Sequence, residues 1–500
     1  MKFSHNLPAL LSGAVSVLAF SPFDYFWLVY FSVALLFWLW MKCSPKQAAW
    51  TGWFFGMGLL GIGTFWLHIS IDQFGGVPMP VAMLLAVLFA MFMSLFYALA
   101  GWLSVSLSQR YSLSRVQVLL VVFPAIWTLS EVARGYFLTG FPWLSLGYSQ
   151  TGSPVAAFAP ITGVFGVSWL VVLISVSLVL LVGTIREKVF GLISGLMVVA
   201  IVSVSGFISW SEPSGEQFSV RMVQGNIPQK IKWEPAYLDS TIDLYSGLSF
   251  QEKTDLIIWP ETAIPAFYHQ VRESVMVPLQ RRLELIKAEM VVGMPVRADD
   301  YGYFNSMVSL GTVHDRYDKR HLVPFGEYAP LDSILRPLVE YFRIPMSDFR
   351  SGEAEHSLMR VGKYQAGVSI CYEDAFGDET AQALPDADFL INVSNDAWFG
   401  DSLAPHQHLQ IARMRAIETS RYMLRATNTG ISAIIDPEGQ MLKQSAQGET
   451  AVIDGNIAPH QGMTLYARVK DWLIVLLVTG CLMGLLLYQR KPAIAVPSRQ

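Results

Sequence analysis

Apolar residues in this chain run in long unbroken blocks, at 8–20, 25–40, 49–69, 81–107, 117–137, 155–183, 189–210 and 472–488. A helix rising 1.5 Å per residue needs about 20 apolar residues to cross the hydrocarbon core of a bilayer. The pattern therefore predicts about eight membrane spans. The first two blocks are short and close together, with Pro22 and Asp24 marking the turn between them.

From residue 211 the pattern changes to short apolar runs set among charged residues. Runs at 219–224, 256–259, 290–292, 306–310, 366–371 and 389–393 read as buried strands, and 271–288 and 406–424 as helices between them. Repeated alternation of the two argues for an α/β domain with helices outside buried sheets. The expected division is a transmembrane bundle of about seven spans at 1–212, a catalytic-type domain at 213–465, and a final span with its tail at 466–500.

Composition agrees that part of the chain sits in lipid: 53% of residues are hydrophobic and 15% charged, against about 25% charged in an ordinary soluble domain. A net charge of −4 leaves no basic excess for neutralising phosphates, so nucleic acid is not an expected partner. Lys2 before an apolar run suggests a signal peptide, but no A-x-A-like site follows and a second block begins at once, so an uncleaved first span is expected.

Loops carrying Lys42 and Lys46, Arg110 and Arg115, and Arg186 and Lys188 alternate with loops around Asp24, Asp72 and 139–154 that have neither Lys nor Arg. Basic loops collect on the cytoplasmic side. Seven crossings from a cytoplasmic N-terminus then place the polar domain outside, and the eighth returns Arg490, Lys491 and Arg499 inside. Gly52, Gly56, Gly58, Gly61 and Gly63 read as close helix packing rather than a transport path. Glu131 and Arg134, three apart in one span, are placed to pair with each other.

Three polar segments lie at predicted strand ends, where an α/β domain usually does its chemistry: Trp259-Pro260-Glu261-Thr262, Tyr317-Asp318-Lys319-Arg320-His321 and Ser369-Ile370-Cys371-Tyr372-Glu373-Asp374. Of three cysteines, Cys43 falls at the cytoplasmic face and Cys481 in a span, leaving Cys371 alone outside without a disulfide partner. Such a thiol is either a hidden apolar residue or a nucleophile, and spacing does not choose. Nor does it choose between Lys319 and His321, which share a face of an extended strand. His406 and His408 have no third ligand at a sensible spacing, so neither metal nor cofactor is expected.

Together these segments resemble the nitrilase (carbon–nitrogen hydrolase) superfamily, with Glu261 in W-P-E, Lys319 in Y-x-K and Cys371 in I-C-Y-E. With the spans added, the chain resembles the bacterial apolipoprotein N-acyltransferase family. Phe141-Pro142-Trp143, Gln224-Gly225-Asn226-Ile227-Pro228, Leu322-Val323-Pro324-Phe325-Gly326-Glu327-Tyr328 and Asn392-Val393-Ser394-Asn395-Asp396 carry that likeness. The resemblance implies an external α-β-β-α sandwich and a catalytic triad of Glu261, Lys319 and Cys371. It also implies supporting or substrate-binding roles for Glu327, Glu373, Tyr372, Trp233 and Trp143. The implied reaction moves a fatty acyl group from a phospholipid such as phosphatidylethanolamine, through a thioester, to the diacylglyceryl-cysteine of an apolipoprotein. The implied setting is the bacterial inner membrane, with the domain periplasmic and the protein a monomer. A membrane-tethered amidase is the rival enzyme and a non-enzymatic sensor on the same fold the rival outside catalysis.

Overall fold

The computed structural model describes residues 5–298, 302–324, 326–328, 349–353 and 357–489. Lys2, Phe325, Arg490, Lys491 and Arg499 lie outside the described residues. Among the described residues five helices are long and apolar enough to cross a membrane: Met79–Arg110, Arg115–Thr139, Pro154–Leu181, Ile185–Gly206 and Trp472–Gln489. Pro45–Gly63 and Leu67–Gln73, bent by 54° at their break, make a sixth if counted as one. Eight full-length spans are thus not found among the described residues. Asn6–Ala19 and Leu28–Trp40 are apolar but short, reaching only about 20 Å at 1.5 Å per residue, against a core of about 30 Å.

Local sequence sets several helix starts. Ser44, Ser114 and Thr184 each accept the backbone N–H three residues on, and Gln47, Gln117 and Glu187 reach back to them. These reciprocal caps satisfy two otherwise orphaned donors at each end, and all three lie in the basic loops. Pro154–Leu181 is the most enclosed of the five, with 78% of its apolar window buried, whereas Ile185–Gly206 and Trp472–Gln489 bury 22% and turn most of their surface outward.

The glycine series divides. A Cβ on Gly58 would lie 2.1 Å from the Leu10 carbonyl oxygen and one on Gly52 would lie 2.3 Å from that of Tyr97, so these helices touch backbone to backbone. Gly61 has open space, its nearest neighbour being a side-chain atom of Met57 at 3.8 Å. Glu131 and Arg134 do not pair with each other as the spacing allowed. Glu131 accepts from the Trp127 indole and the Leu146 N–H at 3.0 Å each. Arg134 donates to the Phe141 and Trp143 carbonyls at 2.6 Å each and to Ser145 at 3.0 Å. Both charges staple the 141–146 loop, because a buried ionic group left without partners would be costly.

Among the described residues the polar region folds into two six-stranded sheets and a two-stranded ribbon of Ser211–Pro213 and His460–Gly462. One runs Ala451–Ile457, Phe218–Gln224, Leu256–Ile258, Glu289–Arg297, Tyr303–Leu310, Arg316–Asp318; the other runs Met441–Gln444, Ala433–Ile435, Met423–Thr427, Phe389–Ser394, Tyr364–Ile370, Leu358–Val361. The central strand pairs of each are parallel. Period-two alternation builds the layers. Val220, Met222, Leu256 and Ile258 meet Val368, Ile370, Ile391 and Val393 between the sheets. Val223 and Ile257 face outward onto Tyr245, Leu279 and Leu283, and Leu390 and Met423 onto Leu409, Ala412 and Ala416. The result is an α-β-β-α sandwich.

The helix expected at 406–424 is observed as Ala404–Thr419. Ser420 adopts a left-handed conformation (φ 52°) that ends it, and Met423 and Leu424 enter a strand. An apolar run carried both periods, and packing between layers decided where one stopped.

Candidate active site

Three strand ends from the two sheets bring side chains within electrostatic reach of one another. Leu256–Ile258 delivers Glu261, Arg316–Asp318 delivers Lys319, and Tyr364–Ile370 delivers Cys371. The Glu261 turn packs against Gly293, where any Cβ would come within 2.3 Å of the Pro260 carbonyl oxygen. Cys371 opens a sharp turn with φ 55°, a left-handed value that side chains resist, so surrounding contacts must hold it.

The three side chains are buried, with Glu261 and Cys371 each 8% exposed and Lys319 1% exposed. The Glu261 carboxylate accepts from Asn305 Nδ2 at 2.7 Å and from the Asn395 backbone N–H at 2.8 Å. Lys319 Nζ lies 2.9 and 2.8 Å from the two Glu327 carboxylate oxygens. Burial works against the lysine's charge, but Glu327, Cys371 and Glu261 outweigh it and hold its pKa above the usual value. At Cys371 burial pushes the thiol well up; Glu261 and Asp396 add to this, and Lys319 opposes it. The same surroundings thus favour charge on the lysine and oppose it on the thiol.

The residues around them act at one remove. Glu373 takes four hydrogen bonds, from the Arg320, His321 and Ile370 N–H groups at 2.6, 3.0 and 2.7 Å and from Tyr317 Oη at 2.9 Å. It ties the lysine segment to the cysteine turn without touching Lys319. The Tyr372 hydroxyl donates to the Gly140 carbonyl at 2.9 Å, linking the turn to the membrane bundle. Trp143 is 1% exposed, donates to Gln407 at 2.7 Å and stacks beside Tyr372. Its place is in the join between bundle and sandwich rather than on an open surface. Trp233 is 48% exposed at the end of Gln229–Lys232.

Asn305 was missed in the sequence. It bonds Glu261 at 2.7 Å and Glu327 at 3.4 Å, bridging one candidate residue and the partner of another, Lys319. Nothing in the local sequence marks an asparagine in an apolar strand, and only the cross-strand register brings it there. Asn395 belongs to a recognised motif, yet it works through its backbone. Lys232 is likewise buried, donating to the Glu261 carbonyl at 3.2 Å.

The comparisons agree along nearly the whole chain. Residues 12–177 match the apolipoprotein N-acyltransferase N-terminal domain and residues 219–463 the carbon–nitrogen hydrolase domain. An apolipoprotein N-acyltransferase of Methylococcus capsulatus is 42% identical over 97% of this chain and 96% of its own length. The chain belongs to the apolipoprotein N-acyltransferase family. Relatives of the same description in Nitrosomonas europaea and Pseudomonas putida are 40% and 38% identical over 94% and 96% of this chain, and each is itself 95% covered. Membership makes this an acyltransferase on a carbon–nitrogen hydrolase framework, as the motifs implied.

Within this family setting Lys232 has a measurable signature. Burial pushes its pKa from the usual 10.5 down to about 8, with the Glu261 charge pulling the other way. Between those values the folded protein binds less proton than the unfolded chain, so this group makes stability rise with pH there. Lys232→Met is expected to remove that rise. Its stability relative to the parent should then fall by up to about 3 kcal/mol from pH 8 to 10.5 in chemical unfolding. A difference that stays flat with pH would refute a depressed pKa.

Proposed function

We propose that the protein moves a fatty acyl group from a membrane phospholipid to the α-amino group of the diacylglyceryl-cysteine that begins an apolipoprotein, through a thioester on Cys371. The observation that carries this reading is the burial of Cys371, Glu261 and Lys319 at three strand ends, with Glu261 held by Asn305 and Asn395 and Lys319 by Glu327, on a chain whose other half is apolar helix.

A buried thiol with a raised pKa offers almost no standing thiolate, so deprotonation accompanies attack. Glu261 takes the thiol proton as Sγ adds to the ester carbonyl carbon. Lys319 faces the oxyanion that develops. Collapse breaks the carbon–oxygen bond, and the proton on Glu261 passes to the departing lysophospholipid oxygen. In the second half the acceptor amine adds to the thioester and gives its proton to Glu261. Collapse forms the amide, and Glu261 returns the proton to the thiolate.

Glu327 orients the ammonium and Glu373 braces the turn, while half-exposed Trp233 flanks the approach of lipid and the Tyr372–Trp143 pair supports the cysteine turn from the bundle side. Both substrates are anchored in lipid, which is the physical reason to fix the site beside a membrane. Phosphatidylethanolamine is the proposed donor, and a monomer suffices. The setting is the bacterial inner membrane, with residues 213–465 on the periplasmic side between a bundle at 1–212 and a last span at 466–500. Eight crossings follow if the two short N-terminal helices each cross a locally thinned bilayer. Cysteine placed at exposed Lys46 should then resist impermeant thiol reagents in intact cells, and labelling there would invert the topology.

Purified protein incubated with alkyne-tagged phosphatidylethanolamine is expected to carry label that neutral hydroxylamine releases and that a diacylated lipopeptide discharges as acyl-lipopeptide. No label on Cys371 would end the thioester reading. Discharge as free fatty acid would favour the tethered hydrolase.

A further inference from the structure

Behind the Cys371 peptide lie four charged side chains that the acyl-transfer steps leave unused. Asp374 and Arg425 are 0% exposed, His408 1% and Asp396 2%. Asp374 comes from the turn Cys371–Ala375, Asp396 from the turn Asp396–Phe399, His408 from Ala404–Thr419 and Arg425 from Met423–Thr427. They alternate in sign around a closed ring. His408 Nε2 lies 2.9 Å from Asp374 and Nδ1 3.1 Å from Asp396, while the Arg425 guanidinium lies 3.2 Å from Asp374 and 3.1 Å from Asp396.

Both imidazole nitrogens face carboxylate oxygens, so both carry hydrogen and the ring holds two positive and two negative charges. Burial and Arg425 work against that imidazolium, but Asp374 and Asp396 win and raise its pKa to about 9. Neutrality around the ring is what makes four buried charges tolerable. Apolar residues of similar volume would brace a fold as well or better, so the charges call for another reason.

That reason lies at the nucleophile. The Cys371 carbonyl, in its left-handed turn, is met by His408 Nε2 at 3.2 Å and Asn392 Nδ2 at 3.4 Å. Asn392 is held in turn by Arg425. Asp396 accepts from Ser394 at 2.6 Å, and its charge is one of the influences opposing ionisation of the Cys371 thiol. The charged groups acting on that thiol are therefore Glu261 and Asp396 against Lys319, with His408 and Arg425 seated on Asp396.

We propose that His408 is a positioning residue for acyl transfer: its imidazolium closes a charge-neutral ring with Asp374, Asp396 and Arg425, clamps the Cys371 carbonyl and offsets the Asp396 charge beside the thiol. This rests on the reading of Cys371 as the nucleophile. Without the imidazolium the ring carries a net negative charge next to the sulfur, and the thiolate becomes harder to form.

Alkylation of Cys371 by iodoacetamide, followed from pH 7 to 11 in the full-length protein, tests it. His408→Gln keeps a hydrogen-bond donor but loses the charge, and should slow alkylation about tenfold at a given pH, the consequence of a thiol pKa about one unit higher. Asp396→Asn removes the opposing charge and should speed alkylation several-fold. A merely structural role gives no such opposite signs. A His408→Gln profile coincident with the parent, or Asp396→Asn no faster than the parent, overturns the proposal. If His408→Gln does not fold, Asp396→Asn decides alone. Phospholipid labelling of the parent enzyme is scored separately, so its absence would refute the nucleophile reading rather than the ring.

Discussion

A Cys371→Ser variant is expected to lose acyl transfer by about a thousandfold or more, the scale on which removing a nucleophile acts. The loss has two sources. Burial and the neighbouring carboxylates already hold the thiol well above its usual pKa, and a hydroxyl in the same place starts from a far higher value. Any acyl group that did reach the substituted hydroxyl would sit as an oxygen ester, which an amine attacks more slowly than a thioester. The check is release of label by neutral hydroxylamine: the parent's acyl-enzyme should be cleaved, and any residual label on the variant should resist. Full transfer activity in the serine variant would refute the covalent route.

Replacing Lys319 by methionine should reduce transfer about a hundred- to thousandfold, as loss of an oxyanion partner does. It should also destabilise the fold, because Glu327 sits within 2.9 Å of the ammonium and its side chain is only 12% exposed. A buried carboxylate stripped of its cation typically costs about 3–5 kcal/mol. The double variant Lys319→Met/Glu327→Gln removes the stranded charge and should recover much of the melting temperature but none of the activity. Normal turnover in the single variant, or activity returning in the double, would show that Lys319 serves the fold alone.

Much of the architecture was legible because its signals are local. Long apolar blocks, reciprocal caps such as Ser44 with Gln47, and alternating strands such as Phe218–Gln224 are read from neighbours in sequence. Span count was less legible, since the composition of 8–20 and 25–40 is apolar throughout while their helical length depends on where the chain turns. The Glu131–Arg134 pairing failed for a related reason: helical spacing placed the two side chains within reach of each other, but a loop arriving from 141–146 offered better partners. The candidates Glu261, Lys319 and Cys371 were picked out by the family resemblance of short motifs at predicted strand ends. Asn305, Lys232 and the ring around His408 carried no such mark.

The sequence by itself determined the membrane-plus-α/β character, the family and the three candidate side chains, because hydrophobic periodicity and short motifs are properties of contiguous residues. Tertiary structure alone decided which groups set the charge at Cys371. The partners of Glu261 come from 44 and 134 positions away and His408 stands 37 from the cysteine it touches. Electrostatic fields and hydrogen bonds act through space over a few ångströms, and only the closing of two sheets against a helical bundle brings such distant residues within that range.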